Sequence, residues 1–351
     1  MICYFICCIL YFYYFFHVGF IHTYCSSHFD KLYNAIIEDG GMTISDDGTM
    51  RSLPKDVRWI DSSNELLIRD CWKDLFPIIL SKNNVILKGK EGRGKSVFIL
   101  FVIFEILLCA KSKKRSKFCP QANFPSNPRI IYFNCGNKRY LITLDGVFSI
   151  PSQGGLLPVA HYCFSDGIDP GEANIGSLLT LAADSGEPNQ LKYYWRHYDT
   201  LDFDEKATLY MPSLELQEMK LMYPDMDPEE LEFKFDVIGG NPRMMWSKGC
   251  GNSDSPFVDP IIDVIRLMFG EEYVPTNAET LTKKQALGRW AIDNVVEQLE
   301  CAMKFPTTNS FFQEYVVSNN YEVAREQCPS KFLSLVGGAL FAKFSKGPLE
   351  F

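Results

Sequence analysis

The chain has 351 residues, of which 46 % are apolar and 22 % charged, with a formal net charge of −8. This length suggests two domains, or one large domain with extensions, and the apolar share is enough for a packed core. The acidic balance excludes a protein built as a whole to coat nucleic acid and leaves room only for a local basic patch.

The chain opens on an unusual segment, residues 1–28. It contains no Lys, Arg, Asp or Glu; the first such residue is Asp30. Ile2 to Ile21 is twenty residues, enough to cross a bilayer at about 1.5 Å per residue. Its Tyr and Phe content suits membrane interfaces better than the hydrocarbon middle. It has neither the basic start nor the small-residue cleavage site of a signal peptide. A membrane anchor or uncleaved signal, a start codon set too far upstream, and a buried helix are the three readings. A membrane is a partner only on the first of them.

Residues 29–60 are mixed and turn-rich (EDGGMTISDDGT) and read as a linker. Ser63 to Leu80 has helical spacing, with Leu66, Ile68, Trp72, Phe76 and Ile79 on one face. Asn84 to Lys88 (NVILK) is a short buried strand. Val97 to Ala110 is almost wholly apolar and predicts a core helix, followed by the basic run KSKKRSK, Lys111 to Lys117. Strands follow at Arg129–Phe133, Tyr140–Leu144, His161–Ser165, Ser177–Ala182 and Ala207–Met211. Helical segments lie around Gln190–Tyr198 and Leu214–Met222. Short apolar strands alternating with helices predict an α/β fold with a mainly parallel sheet covered on both faces, a three-layer α/β/α arrangement over residues 61–212.

Beyond Pro212 the pattern turns helical, which predicts a smaller helical lid domain over residues 213–334. Asp227-Pro228-Glu229-Glu230 reads as an N-cap, a proline in the first turn and a capping-box glutamate. Leu231, Phe235 and Ile238 then share a face, and Gly239-Gly240 ends the helix. A longer helix lies within Asn277–Lys304. Residues 335–351 read as the start of a further domain.

The twelve cysteines are scattered, with no C-x-x-C pair and no zinc-type spacing with histidine. Several, such as Cys109 and Cys163, sit in apolar runs, where a thiol behaves as a small hydrophobe. A reducing compartment fits this usage.

The segment that carries chemistry is GKEGRGKS. Gly89, Lys90, Glu91, Gly92, Arg93, Gly94, Lys95 and Ser96 satisfy G-x-x-x-x-G-K-[ST], with a strand before and a helix after. Such a loop turns backbone N–H groups toward phosphate oxygens, and its glycines allow close approach. Lys95 would reach the β- and γ-phosphates, Ser96 would place its hydroxyl on Mg²⁺, and the helix would aim its positive end at the anion. A second strand ending in an acid is needed for the metal. LITLDG offers Asp145 and HYCFSDGID offers Asp166. The hairpin-like setting of Asp145 gives it a structural role, so Asp166 is assigned to the metal. Glu, common directly after that Asp in such ATPases, is replaced here by Gly167. Asp169 stands next in line to position water, its plain alternative being a turn cap. Asp184 and Ser185 end the following strand, as phosphate sensors or as an ordinary turn. A guanine-reading N-K-x-D is absent, because Asn137-Lys138-Arg139 is followed by Tyr140. ATP with Mg²⁺ is therefore the default nucleotide.

Four motifs in order, GKEGRGKS, HYCFSDGID, LYMPSLELQEM and FDVIGGNPRMMW, resemble the P-loop NTPase module of the Crinkler family and the related retrotransposon hot spot (RHS) proteins. The resemblance runs from about Ile60 to Trp246. It implies an ATPase of the AAA/STAND-like grade with a helical lid after Gly239-Gly240-Asn241-Pro242-Arg243. Arg243 then becomes a candidate phosphate sensor, against the plain reading of a solvated arginine after a turn. It also implies a secreted effector acting in a host cell or its nucleus; membrane-anchored and intracellular settings are the alternatives. The ubiquitin-like header of that family has no counterpart in the apolar N-terminus. Leu335 to Ala342 resembles the opening of its nuclease domain, but Ala342 stands where the acid belongs, so no nuclease activity carries over. The basic residues Lys111, Lys113, Lys114, Arg115 and Lys117 read as a solvated helix cap, with nuclear import or a nucleic-acid contact as the alternative. Three functions stand: an Mg²⁺-dependent ATPase, a nucleotide-gated interaction module with little turnover, and a degenerate family copy. The protein partner is not specified by sequence, and Arg196 is only a possible trans-acting arginine.

Overall fold

A computed structural model describes residues 28–59, 63–89, 92–133, 138–151, 159–167, 178–183, 191, 206–246, 258–273 and 282–304. These residues fall into two compact units. The first holds those up to Lys88 and from Gly94 to Tyr210; the second holds Gly89, Gly92 and Arg93 with those from Met211 onward.

In the first unit, α1 (His28–Tyr33) runs into a π turn (Asn34–Glu38), followed by the short strands β1 (Thr43–Ile44), β2 (Met50–Ser52) and β3 (Glu65–Leu67). These three strands form an antiparallel sheet in the order β1-β2-β3. The stretch expected to be a linker is thus built into the core, because Leu32, Tyr33, Ile36 and Ile37 are all buried. The helix expected from Ser63 starts only at Asp70. Leu66 and Ile68 are spaced by two, which is strand alternation, and Leu66 pairs with Arg51. Helical spacing holds from Trp72 onward, in α2 (Asp70–Leu80).

The main sheet comprises β4 (Asn84–Lys88), β5 (Ile130–Phe133), β6 (Arg139–Thr143), β7 (Gly146–Ile150), β8 (Tyr162–Asp166), β9 (Leu179–Ala183) and β10 (Lys206–Tyr210). Its spatial order is β10-β4-β9-β8-β5-β6-β7. The pairs from β10 to β5 are parallel, and β6 and β7 continue it as an antiparallel hairpin. The fold is therefore α/β with a mostly parallel sheet, compatible with a three-layer α/β/α arrangement.

Every residue of β5, β8 and β9 is buried, as expected for strands covered on both faces. On one face Ile131, Phe133, Leu141 and Cys163 form an apolar cluster with Ile150 and Ala160, and Leu191 packs on Ile86 and Ala182. On the other, Phe29 of α1 stacks on Tyr140 and on Phe104. Phe104 belongs to α3 (Lys95–Ser112), which is buried almost continuously from Phe98 to Ala110. Trp72 and Phe76 of α2 pack on Phe98 and Phe101 of the same helix. An all-round apolar helix needs this covering on several sides.

The second unit contains α4 (Leu216–Met222), α5 (Pro228–Ile238), a 3₁₀ turn (Pro242–Trp246), α6 (Val258–Phe269) and α7 (Lys283–Lys304). Leu231, Val237 and Ile238 of α5 bury against Ile261 and Ile265 of α6 and Ile292, Val295 and Val296 of α7. Asp227 caps α5 by accepting the Glu230 N–H at 3.0 Å. Glu230, expected to return that bond, turns instead to Lys234 at 3.2 Å and Lys283 at 3.6 Å. A lysine four residues along the helix competes for the same carboxylate. The reciprocal bond is found at α4, where the Glu215 N–H donates to Glu218 Oε2 at 2.9 Å.

Candidate phosphate-binding site

The sheet order sets the position of the site. From β4 the chain passes through α3 to β5 on one side, whereas from β9 it passes to β10 on the other side of β4. Adjacent strands whose connections diverge leave a crevice outside their carboxyl ends, the usual ligand position in open α/β sheets. Leu87, Ala183 and Asp166 are register partners across β4, β9 and β8 at that end.

Lys95 and Ser96 are the first two residues of α3, and Gly94 precedes them with φ 87°. That positive φ suits glycine and turns the chain directly from loop into helix. The Ser96 hydroxyl donates to Asp166 Oδ1 at 2.8 Å. Lys95 and Asp166 are both 9 % exposed, so the acid that ends β8 and the lysine that opens α3 are withheld from bulk water. An α-helix leaves its first N–H groups without acceptors inside the helix, and its aligned peptide dipoles make that end positive. A hydroxyl and a carboxylate in contact at such an end are hard oxygen donors of the kind Mg²⁺ prefers. No group of three or more His, Cys, Asp or Glu that could hold a metal occurs among the described residues. Mg²⁺ commonly keeps several water ligands and needs few from the protein.

In the second unit, Gly89 lies against Met211, with room for a Cβ only 3.0 Å from the Met211 carbonyl oxygen. Arg93 Nη1 donates to the same carbonyl at 3.5 Å. Gly92, at φ 81°, packs on the Asn241 side chain. Arg243 is exposed in the 3₁₀ turn, and its N–H donates to Asn241 Oδ1 at 3.2 Å. Lys90, Glu91, Asp169, Asp184, Ser185, Arg196 and the segments 1–27 and 305–351 lie outside the described residues.

Asp145 sits in the turn between β6 and β7, where its N–H donates to Thr143 Oγ1 at 3.1 Å. Strands β9, β8 and β5 separate that hairpin from β4. Gly167, at φ 68°, follows Asp166 and donates its N–H to Ala183 at 3.1 Å. In the basic run, Lys111 Nζ donates to the Ile37 carbonyl, Lys113 takes φ 55° at the helix end, and Lys117 lies 5.1 Å over the Phe118 ring. These contacts lie at the C-terminal end of α3 and just beyond it. No helix among the described residues is long and apolar enough to cross a membrane.

The side chain not singled out by sequence is Asn241. Its only local signal is an Asn two residues before Arg243, the spacing of a side chain that accepts a backbone N–H. Comparison with protein-family models finds no match for the chain, and comparison with curated proteins finds none either.

Proposed function

We propose that the chain is a P-loop NTPase of the Crinkler and RHS kind that binds ATP with Mg²⁺ on Gly89–Ser96 and hydrolyses it. The observation that carries the reading is the Ser96–Asp166 contact at 2.8 Å. Those residues are 70 apart in sequence, and the motif demands that its hydroxyl meet an acid from a second strand. The strand–loop–helix context and the diverging connections around β4 support it further.

On this reading the loop backbone and Lys95 hold phosphate oxygens, and Lys95 offsets charge that develops as the terminal phosphoryl group departs. Ser96 and Asp166 would hold Mg²⁺, which supplies further charge neutralisation when bound. Burial of Lys95 and Asp166 strengthens these interactions by removing competing water. Asp169 is assigned to the attacking water, and Arg243 to sensing phosphate from the helical unit.

A second reading, binding with little turnover, is favoured by Gly167. The residue directly after the metal-side acid brings no carboxylate to activate water. Labelled-ATP binding and phosphate release, measured on the full chain with Mg²⁺ beside Lys95→Ala and Asp166→Ala, separate the two. Hydrolysis predicts release that both substitutions abolish. Binding without release establishes the gated module, and folded protein that binds no ATP refutes the proposal.

A further inference from the structure

The turn after α5 has little slack. A Cβ added at Gly240 would fall 1.8 Å from the Leu214 carbonyl oxygen, and the Leu214 N–H donates to the Gly240 carbonyl at 3.1 Å. The Asn241 N–H donates to the Gly239 carbonyl at 2.9 Å, and the Met244 N–H to the Asn241 carbonyl at 3.1 Å. At the far end, buried Lys234 donates to the Met245 carbonyl at 3.2 Å. The backbone carrying Asn241 is held on both sides.

From this fixed base the Asn241 amide reaches both the Arg243 N–H and the Gly92 backbone. Its Oδ1 accepts the Arg243 N–H at 3.2 Å, a local bond that starts the 3₁₀ turn. The same amide lies against the Gly92 backbone. A Cβ there would stand 2.0 Å from Oδ1, 2.8 Å from Cγ and 3.0 Å from Nδ2. Only glycine permits that approach. One neutral side chain therefore touches both the loop backbone and the turn that presents Arg243.

We propose that Asn241 is a positioning residue for the phosphate loop, holding the Gly92 backbone in place and tying its conformation to the Arg243 turn. The inference rests on the nucleotide-binding reading above. Neutrality is part of the fit. A carboxylate of the same shape keeps the acceptor for Arg243 but sets a negative charge against a loop that receives phosphate.

The test is ATP binding by the full chain, wild type beside Asn241→Asp and Asn241→Ala, with melting temperatures taken in parallel. Asn241→Asp is expected to melt with wild type yet bind ATP about tenfold more weakly, a deficit that shrinks as salt is raised from about 0.05 to about 0.5 M. Asn241→Ala, which loses the contact without adding charge, is expected to weaken binding by a factor that salt leaves unchanged. Wild-type affinity in Asn241→Asp, beside a binding-competent wild type, overturns the inference alone. A wild type that binds no ATP overturns the nucleotide reading and the inference with it. If Asn241→Asp melts early, Asn241→Ala carries the test: weaker ATP binding at an unchanged melting temperature supports the proposal, and wild-type affinity overturns it.

Discussion

Glu105→Ala is expected to be strongly destabilising. Glu105 Oε2 meets Arg51 Nη2 at 2.7 Å, with the two side chains only 8 % and 3 % exposed. Ser116 donates to the other carboxylate oxygen at 2.8 Å. The guanidinium lies 5.0 Å over Phe101 and 5.8 Å over Phe118, while Arg51 Nη1 is buried with no hydrogen-bond partner among the described residues. Removing the carboxylate leaves a cation enclosed by aromatic rings with no counter-charge, a loss of about 3–5 kcal/mol. For a unit of this size that lowers the melting temperature by about 6–20 °C. Arg51→Met with Glu105→Leu removes both charges at similar volume and is expected to stay within about 1 kcal/mol of wild type. Urea unfolding followed by tryptophan fluorescence reads the first unit through Trp59 and Trp72, both 2 % exposed. A Glu105→Ala cost below about 1 kcal/mol, or a double variant as unstable as the single, would show that water reaches the pair and refute the reasoning.

Acid stability is expected to depend on Asp47. Its carboxyl is held at about 2 by the Ser45 hydroxyl, then by the Thr49 amide and hydroxyl. A folded value below the unfolded one stabilises fully above about pH 4 and is lost as pH falls toward 2; Asp47→Asn should flatten that part of a pH series of urea midpoints. Burial pushes the Cys163 thiol up to about 12, and burial with the nearby Glu105 carboxylate does the same for Cys109. Iodoacetamide at pH 8 should therefore label neither in native protein and both in urea, and rapid native labelling of Cys163 would contradict its burial. Lys234→Met keeps the stem volume but drops the bond to the Met245 carbonyl and the ion pair with Glu230. It is expected to cost the second unit about 1–3 kcal/mol in urea unfolding; an unchanged midpoint would show that the 3₁₀ turn does not need this anchor.

The strands of the parallel sheet were legible because they are continuous apolar runs between turn residues. β4, β8, β9 and β10 fall within two residues of the expected ranges. The first sheet was not legible. Its strands are two or three residues long, too short for a period to register, and Leu66 and Ile68 fell into a helical frame that begins only with Trp72. β7 was missed for a related reason: in Gly146–Ile150 only Val147 and Ile150 are buried, so neither alternation nor a full apolar run is present. In α6 Pro260 sits near the start of the apolar pattern and hides it. Around the loop, the motif named Ser96 and the hairpin-like setting of Asp145 directed the choice to Asp166, while the strand order that brings Asp166 beside Ser96 is encoded by no local pattern. The contact of Asn241 with Gly92 joins distant parts of the chain and leaves only a faint local trace.

The strand order has a further consequence for biosynthesis. β4 leaves the ribosome before the strands that flank it, β9 beginning at Leu179 and β10 at Lys206. At about 5–20 residues per second, β4 waits several seconds for either neighbour. α3 emerges directly behind it with an apolar surface on nearly every side, and β5, β8 and β9 have yet to be made. The nascent chain therefore displays an unpaired strand and a greasy helix together, the exposure that holdase chaperones recognise. Contacts between residues far apart in sequence form slowly, so the 70-residue separation of Ser96 and Asp166 lengthens that interval of exposure.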